Sequence, residues 1–146
     1  MTTSRAVAVL LWLSVTACGG SDNNSRQQRE NQMPTIAELN SSLGVSLPSE
    51  TRIVGVHAEA GIDDMRSAKV EIPRSQLAAF LDGTRIPRFE PGDADLLGPD
   101  KGFWDPHRAK KLRVGDVQLP GARFLVVAFD DSGDDVATVY LMNHGT

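Results

Sequence analysis

The sequence has a single cysteine in 146 residues. That excludes a disulfide within the chain and a zinc site built on several thiolates. No apolar run approaches the ~20 residues that a membrane-crossing helix requires. Positive charge is not in excess: 15 basic residues face 19 acidic ones, for a formal net charge of −4, which argues against a nucleic-acid partner. No Gly-x-Ser-x-Gly elbow and no glycine loop of the phosphate-cradling type occurs. Carboxylates are paired only inside turns, and no nucleophile sits beside a tuned base, so no hydrolase constellation is legible. No cofactor is expected.

What is present begins with the surroundings of that cysteine. Met1 to Arg5 is short and weakly positive, and Ala6 to Ala17 (AVAVLLWLSVTA) is apolar, a run of the length of a signal-peptide h-region. Val15-Thr16-Ala17-Cys18 is followed by Gly19, Gly20 and a polar spacer. This order resembles the bacterial lipoprotein signal, with its lipobox. The resemblance covers about twenty residues and implies cleavage before Cys18, leaving residues 1–17 as a removed signal peptide. It further implies acylation of Cys18 by a diacylglycerol on sulfur and usually a third chain on the new amino group. Two or more acyl chains anchor stably where one is marginal, at about 0.8 kcal/mol per buried CH₂. With Cys18 lipidated, no thiol remains for nucleophilic chemistry. The absence of Asp after the cysteine resembles sorting to the periplasmic face of the outer membrane in Gram-negative envelopes.

Arg5 is the only charged residue before Cys18, so 14 basic and 19 acidic side chains follow it, a net of −5. The 129 residues from Cys18 onward suffice for one domain with a real core. Residues 18–33 (CGGSDNNSRQQRENQM) show no apolar period and read as the lipidated cysteine and a flexible tether, reaching roughly 20 Å as a loose coil.

Residues 34–146 read as a single α+β domain. Thr35 and Glu38 are spaced as a capping box, Ile36, Leu39 and Leu43 form a helical stripe, and Gly44 is a natural stop. Arg52 to Ala58 is rich in β-formers. Gly61 to Asp64 supplies a turn, and Ala68, Val70 and Ile72 alternate with Lys69 and Glu71, so these two strands form an antiparallel hairpin. Pro73 ends the second. Leu77, Phe80 and Leu81 mark a second helix over Ser75 to Leu81, with Gly83 as its C-terminal cap. Residues 83–123 hold five of the eight prolines and six of the thirteen glycines. They predict a long irregular loop with one short strand, Leu112 to Leu119, bulged or turned at Gly115-Asp116. Phe124 to Phe129 and Val136 to Met142 are nearly continuous apolar runs, expected as central strands. The expected architecture is a mainly antiparallel sheet of four or five strands with two short helices on one face.

Four features carry candidate chemistry. Asp130, Asp131, Asp134 and Asp135 could offer oxygens to Ca²⁺, but they lack EF-hand spacing and read more simply as a solvated turn, as do Asp63 and Asp64. His57, His107 and His144 have no metal-ligand spacing, and no metal is expected. Trp104, the only tryptophan beyond the signal, follows Phe103 in the long loop. It is either a partner-binding anchor or a lid that completes the core. His107 to Arg113 carries several basic residues, Arg108 among them, which either meet an acidic partner or anionic lipid or are balanced by the acids upstream. Phe103, Trp104 and Arg108 are therefore the candidate binding residues. The function expected is a non-enzymatic binding module of the envelope, inhibitor- or immunity-like, with a protein partner. A structural accessory subunit is the alternative, and a small hydrolase the least supported reading.

Overall fold

Thr35 starts the first helix of the computed structural model, which describes residues 33–61 and 64–145. The signal segment 1–17, Cys18 and the tether as far as Gln32 lie outside the described residues, as do Ile62 and Asp63 in the hairpin turn. In α1 (Ile36–Leu43) the Thr35 hydroxyl accepts from the Glu38 amide while Glu38 accepts from the Thr35 amide. This reciprocal cap satisfies amides that a helix start otherwise leaves unpaired. Gly44, at φ 72°, closes the helix in the left-handed conformation. Strands β1 (Arg52–Glu59) and β2 (Met65–Pro73) pair antiparallel. A register shift between Ile53 and Gly55 puts the one irregularity of that ladder in β1.

The second helix, α2 (Arg74–Gly83), has Gly83 as its last helical residue and is capped one position later. Thr84 is the cap: its hydroxyl donates to the Leu81 carbonyl at 2.6 Å. The left-handed residue that redirects the chain is Arg85, at φ 62°. A hydroxyl-bearing residue one position later thus does the work expected of the glycine.

The remaining strands are β3 (Glu90–Pro91), β4 (Leu112–Leu119), β5 (Arg123–Asp130) and β6 (Val136–Gly145). The sheet has six antiparallel strands in the order β1-β2-β6-β5-β4-β3, so four or five was an undercount. The strand that periodicity missed is β3, two residues long, one of them proline, and held only at the edge of β4. β5 and β6 lie at the centre, as their continuous apolar character implies. β4 pairs with β5 without interruption through Gly115 and Asp116, and no bulge forms there. Gly115 serves a different need. A Cβ at this position would lie 2.5 Å from Ile86 Cγ2 and 2.7 Å from the Arg88 carbonyl oxygen, so glycine lets residues 86–89 cross close above β4.

Residues paired across antiparallel strands point to the same face. One face carries Ala68, Val70 and Ile72 of β2, Leu125 and Val127 of β5, and Val139 and Leu141 of β6, and α1 and α2 bury Leu39, Leu43, Leu77 and Phe80 against it. The opposite face carries Leu112, Ala128 and Tyr140, covered by Leu97 and Trp104 from residues 92–109. Those residues, here called the strap, contain two 3₁₀ turns, Ala94–Leu97 and Pro106–Arg108. Met33 to Thr146 form one compact unit. Among the described residues no helix is long and apolar enough to cross a membrane.

Candidate functional site

The strap is where sequence composition pointed, and its geometry separates the three candidate residues. Trp104 is 8% exposed. Its indole meets the Tyr140 ring edge-on, with centroids 5.3 Å apart, and its Nε1–H donates to the Leu97 carbonyl at 3.0 Å. Of its two readings, the lid over the sheet describes its position. An indole so enclosed, with its one polar atom satisfied, completes a core and leaves little area for another molecule. Phe103 is half-buried and lies over Gly55 of β1. A Cβ on Gly55 would come within 2.3 Å of Phe103 Cγ, so the missing side chain of the edge strand is the seat of the ring. Arg108 alone projects: its side chain is 83% exposed, and its Nε lies 3.8 Å from Asp105 Oδ2.

Asp105 is the polar fastening of the strap. Lys69 Nζ of β2 lies 2.5 Å from its Oδ1. The Tyr140 hydroxyl of β6 lies 3.0 Å from the same oxygen and 3.1 Å from the Asp105 backbone carbonyl, one proton serving both. Lys69 and Tyr140 are directly paired across β2 and β6, so a single loop carboxylate reaches two neighbouring strands. Burial, and next the negative charge of Asp105, push the Tyr140 hydroxyl well above its ordinary pKa. It therefore stays protonated and serves as a donor. Lys69 also lies 5.8 Å from the centre of the Tyr140 ring, within cation–π range.

A second fastening lies at the outer margin. His107 Nε2 is 2.9 Å from Asp95 Oδ1, and its Nδ1 is 2.8 Å from Asp100 Oδ1. One imidazole thus ties both 3₁₀ turns and the link between them. The hydrogen bonds to Asp95 and Asp100 raise the His107 pKa above its ordinary value. The bond from His107 lowers that of Asp100. With both ring nitrogens engaged, His107 cannot ligate a metal or take up a proton from a substrate without giving up one of these contacts. An open cleft of about 530 Å³ lies beside it, lined by Pro91, Asp93, Pro106, Lys110 and Leu112 among others.

The acidic turn Asp130 to Asp135 is committed internally. The Asp130 carboxylate accepts from the amides of Lys110, Lys111 and Ser132. Burial opposes its charge, but these bonds outweigh burial and hold its pKa below the usual range. Asp131 bonds to the Arg74 guanidinium, which lowers its pKa. Asp130 thus fastens the residues just after the strap to β5, and the carboxylates of Asp130 and Asp131 are already used. His57 pairs with Glu59 on β1, and His144 stacks on Phe124 with centroids 5.6 Å apart. The structure does not bring the three histidines together. Among the described residues no group of three or more His, Cys, Asp or Glu side chains is placed to hold a metal ion.

Sequence reasoning missed Leu96. It is 67% exposed, the most exposed large apolar side chain among the described residues. It projects from the turn whose neighbour Leu97 is buried. In the sequence Leu96 and Leu97 are indistinguishable. Only the 3₁₀ geometry, which turns adjacent side chains to different sides, tells them apart. Compared with models of known families, with curated protein sequences and with solved structures, the chain matches none.

Proposed function

We propose that this chain is a lipid-anchored bacterial envelope protein, held at a membrane through Cys18, whose domain is a non-enzymatic module for binding another protein. The anchoring half of the proposal rests on the lipobox-like run Val15 to Cys18 and on the polar tether after it. The absence of Asp after the cysteine favours the periplasmic face of the outer membrane. The binding half rests on one observation: an irregular segment, the strap, is fixed in one shape by the buried Trp104 and by Asp105, and carries Leu96 and Arg108 outward. A loop ordered before it meets its partner loses less conformational freedom on binding. An apolar projection flanked by charge suits a partner with an apolar pocket and a polar rim.

Capture from detergent-solubilised envelopes tests both halves. The wild-type chain should retain one protein partner, and Leu96→Asp combined with Arg108→Glu should release it while leaving the thermal midpoint of the domain unchanged. Cys18→Ser should move the protein from the membrane to the soluble fraction. A partner retained by the double variant would refute strap recognition in favour of a scaffolding contact elsewhere, and membrane fractionation unaffected by Cys18→Ser would refute the anchor.

A further inference from the structure

The helix-bearing face has an end that neither helix covers. Beyond the C-terminus of α1 lies a cleft of about 430 Å³, lined by Ser41, Ser42, Arg66, Leu119, Arg123 and Asn143 among others. The strand register explains the gathering. Arg66 of β2 is the cross-strand partner of Asn143 on β6, which pairs in turn with Leu125. Arg123 lies two residues from Leu125 along β5. The two arginines therefore flank one asparagine on a single face of the sheet.

Asn143 is 2% exposed and already committed. Its Nδ2 donates to the Leu43 carbonyl at 2.9 Å, and its Oδ1 accepts from Arg123 Nε at 2.7 Å. Of the other carbonyls near the end of α1, Leu39 accepts from the Ser42 hydroxyl and Asn40 from the amides of Gly44 and Val45. Arg123 has one carboxylate near, Asp64 Oδ2 at 3.9 Å from Nη1. The Arg66 side chain forms no hydrogen bond or ion pair with any described residue. Two guanidinium groups thus line one concavity, and only Arg123 has a carboxylate beside it. Like charges held this way repel until an anion enters, and a guanidinium presents parallel N–H donors matched to phosphate oxygens.

We propose that this cleft is a binding site for a phosphate ester, with Arg66 and Arg123 as the charged clamp, the Ser41 hydroxyl as an added donor, and Leu119 and Pro120 as the apolar wall against the ester's organic part. The same chemistry is offered by a soluble phosphorylated metabolite and by a phospholipid headgroup. The site is separate from the strap and does not depend on how the strap is used.

The test is a nuclear magnetic resonance titration of the full chain with inorganic phosphate and with glycerol 1-phosphate. Co-sedimentation of the full chain follows, with phosphatidylcholine vesicles that contain or lack phosphatidylglycerol. Each measurement is made on the wild type and on Arg66→Gln, whose side chain has no partner to lose, so that its melting temperature should stay unchanged. Saturable shifts at Ser41, Ser42, Gly44 and Asn143, weakened about tenfold or more by Arg66→Gln, support a soluble ester. Binding enhanced only by phosphatidylglycerol and lost in Arg66→Gln supports a lipid headgroup. In either case Arg66→Lys should restore part of the affinity. No response to any probe, or a response that Arg66→Gln leaves intact, overturns the proposal.

Discussion

The two faces of the sheet are built on different terms. Beneath α1 and α2 the core is regular and apolar, with Ala68, Val70, Ile72, Leu125, Val127, Val139 and Leu141 almost wholly enclosed. Beneath the strap the apolar cluster is smaller, and polar contacts complete it: the Trp104 indole on a carbonyl, Asp105 on Lys69 and Tyr140, and His107 on two aspartates. A face held by area is insensitive to pH and opens only with the whole domain. One held by a few directional contacts can open by itself, and can vary its outer surface without touching the core. That division places the larger apolar core on the helix side and suits the recognition proposed for the strap side.

Deletion on the helix side should have the largest effect. Leu141→Ala, at a site with no exposed surface, should cost about 3–5 kcal/mol, read by urea denaturation as a single transition in which every probe moves together. Overpacking on the strap side should cost less and act locally. Gly55→Ala, which drives a methyl into the Phe103 ring, should cost about 1–3 kcal/mol. It should raise amide exchange at residues 92–109 while β5 and β6 keep their protection. Equal loss of protection on both faces would erase the distinction.

The smallest effect concerns pH. His107 gains its partners in the folded state, so its folded pKa is raised above the unfolded value of about 6.5. Its contribution is complete below that value and is lost as pH rises through the raised folded pKa. Asp100 has the opposite sign: its pKa is lowered, and its contribution is present above the unfolded value of about 4 and lost on acidification through the folded pKa. The strap should therefore be tightest between about pH 4 and 6.5 and should loosen above that window. The His107 ring proton resonance should titrate with a midpoint above 6.5, and strap protection should fall along the same curve. In His107→Gln that dependence should vanish.

The helix face was legible from sequence because its signals are local. A capping box spans four residues, a left-handed stop needs one glycine, and the alternation of Ala68, Val70 and Ile72 declares which side faces inward. The strap was legible only as an anomaly, a region too rich in proline and glycine for long elements. Its fastenings join residues far apart in the chain, Lys69 to Asp105 and Asp105 to Tyr140, and no spacing rule announces them. Glycine misled for the same reason. Gly83 and Gly115 suggested a cap and a bulge, yet the first is the last helical residue with Thr84 as the cap, and the second clears room for Ile86 and Phe89. Nor does the sequence show which of its two readings Trp104 takes, or that Leu96 projects while Leu97 is buried, because burial within an irregular segment depends on the sheet it crosses.

The contrast between the two faces is tested most directly by residue-resolved native-state hydrogen exchange at increasing denaturant. It predicts that the bonded strap amides of Lys101, Trp104 and Ala109 are protected, but open at lower free energy and with weaker denaturant dependence than the amides of β5 and β6. Strap amides with no protection, or with opening energies that merge with those of the central strands, would contradict it.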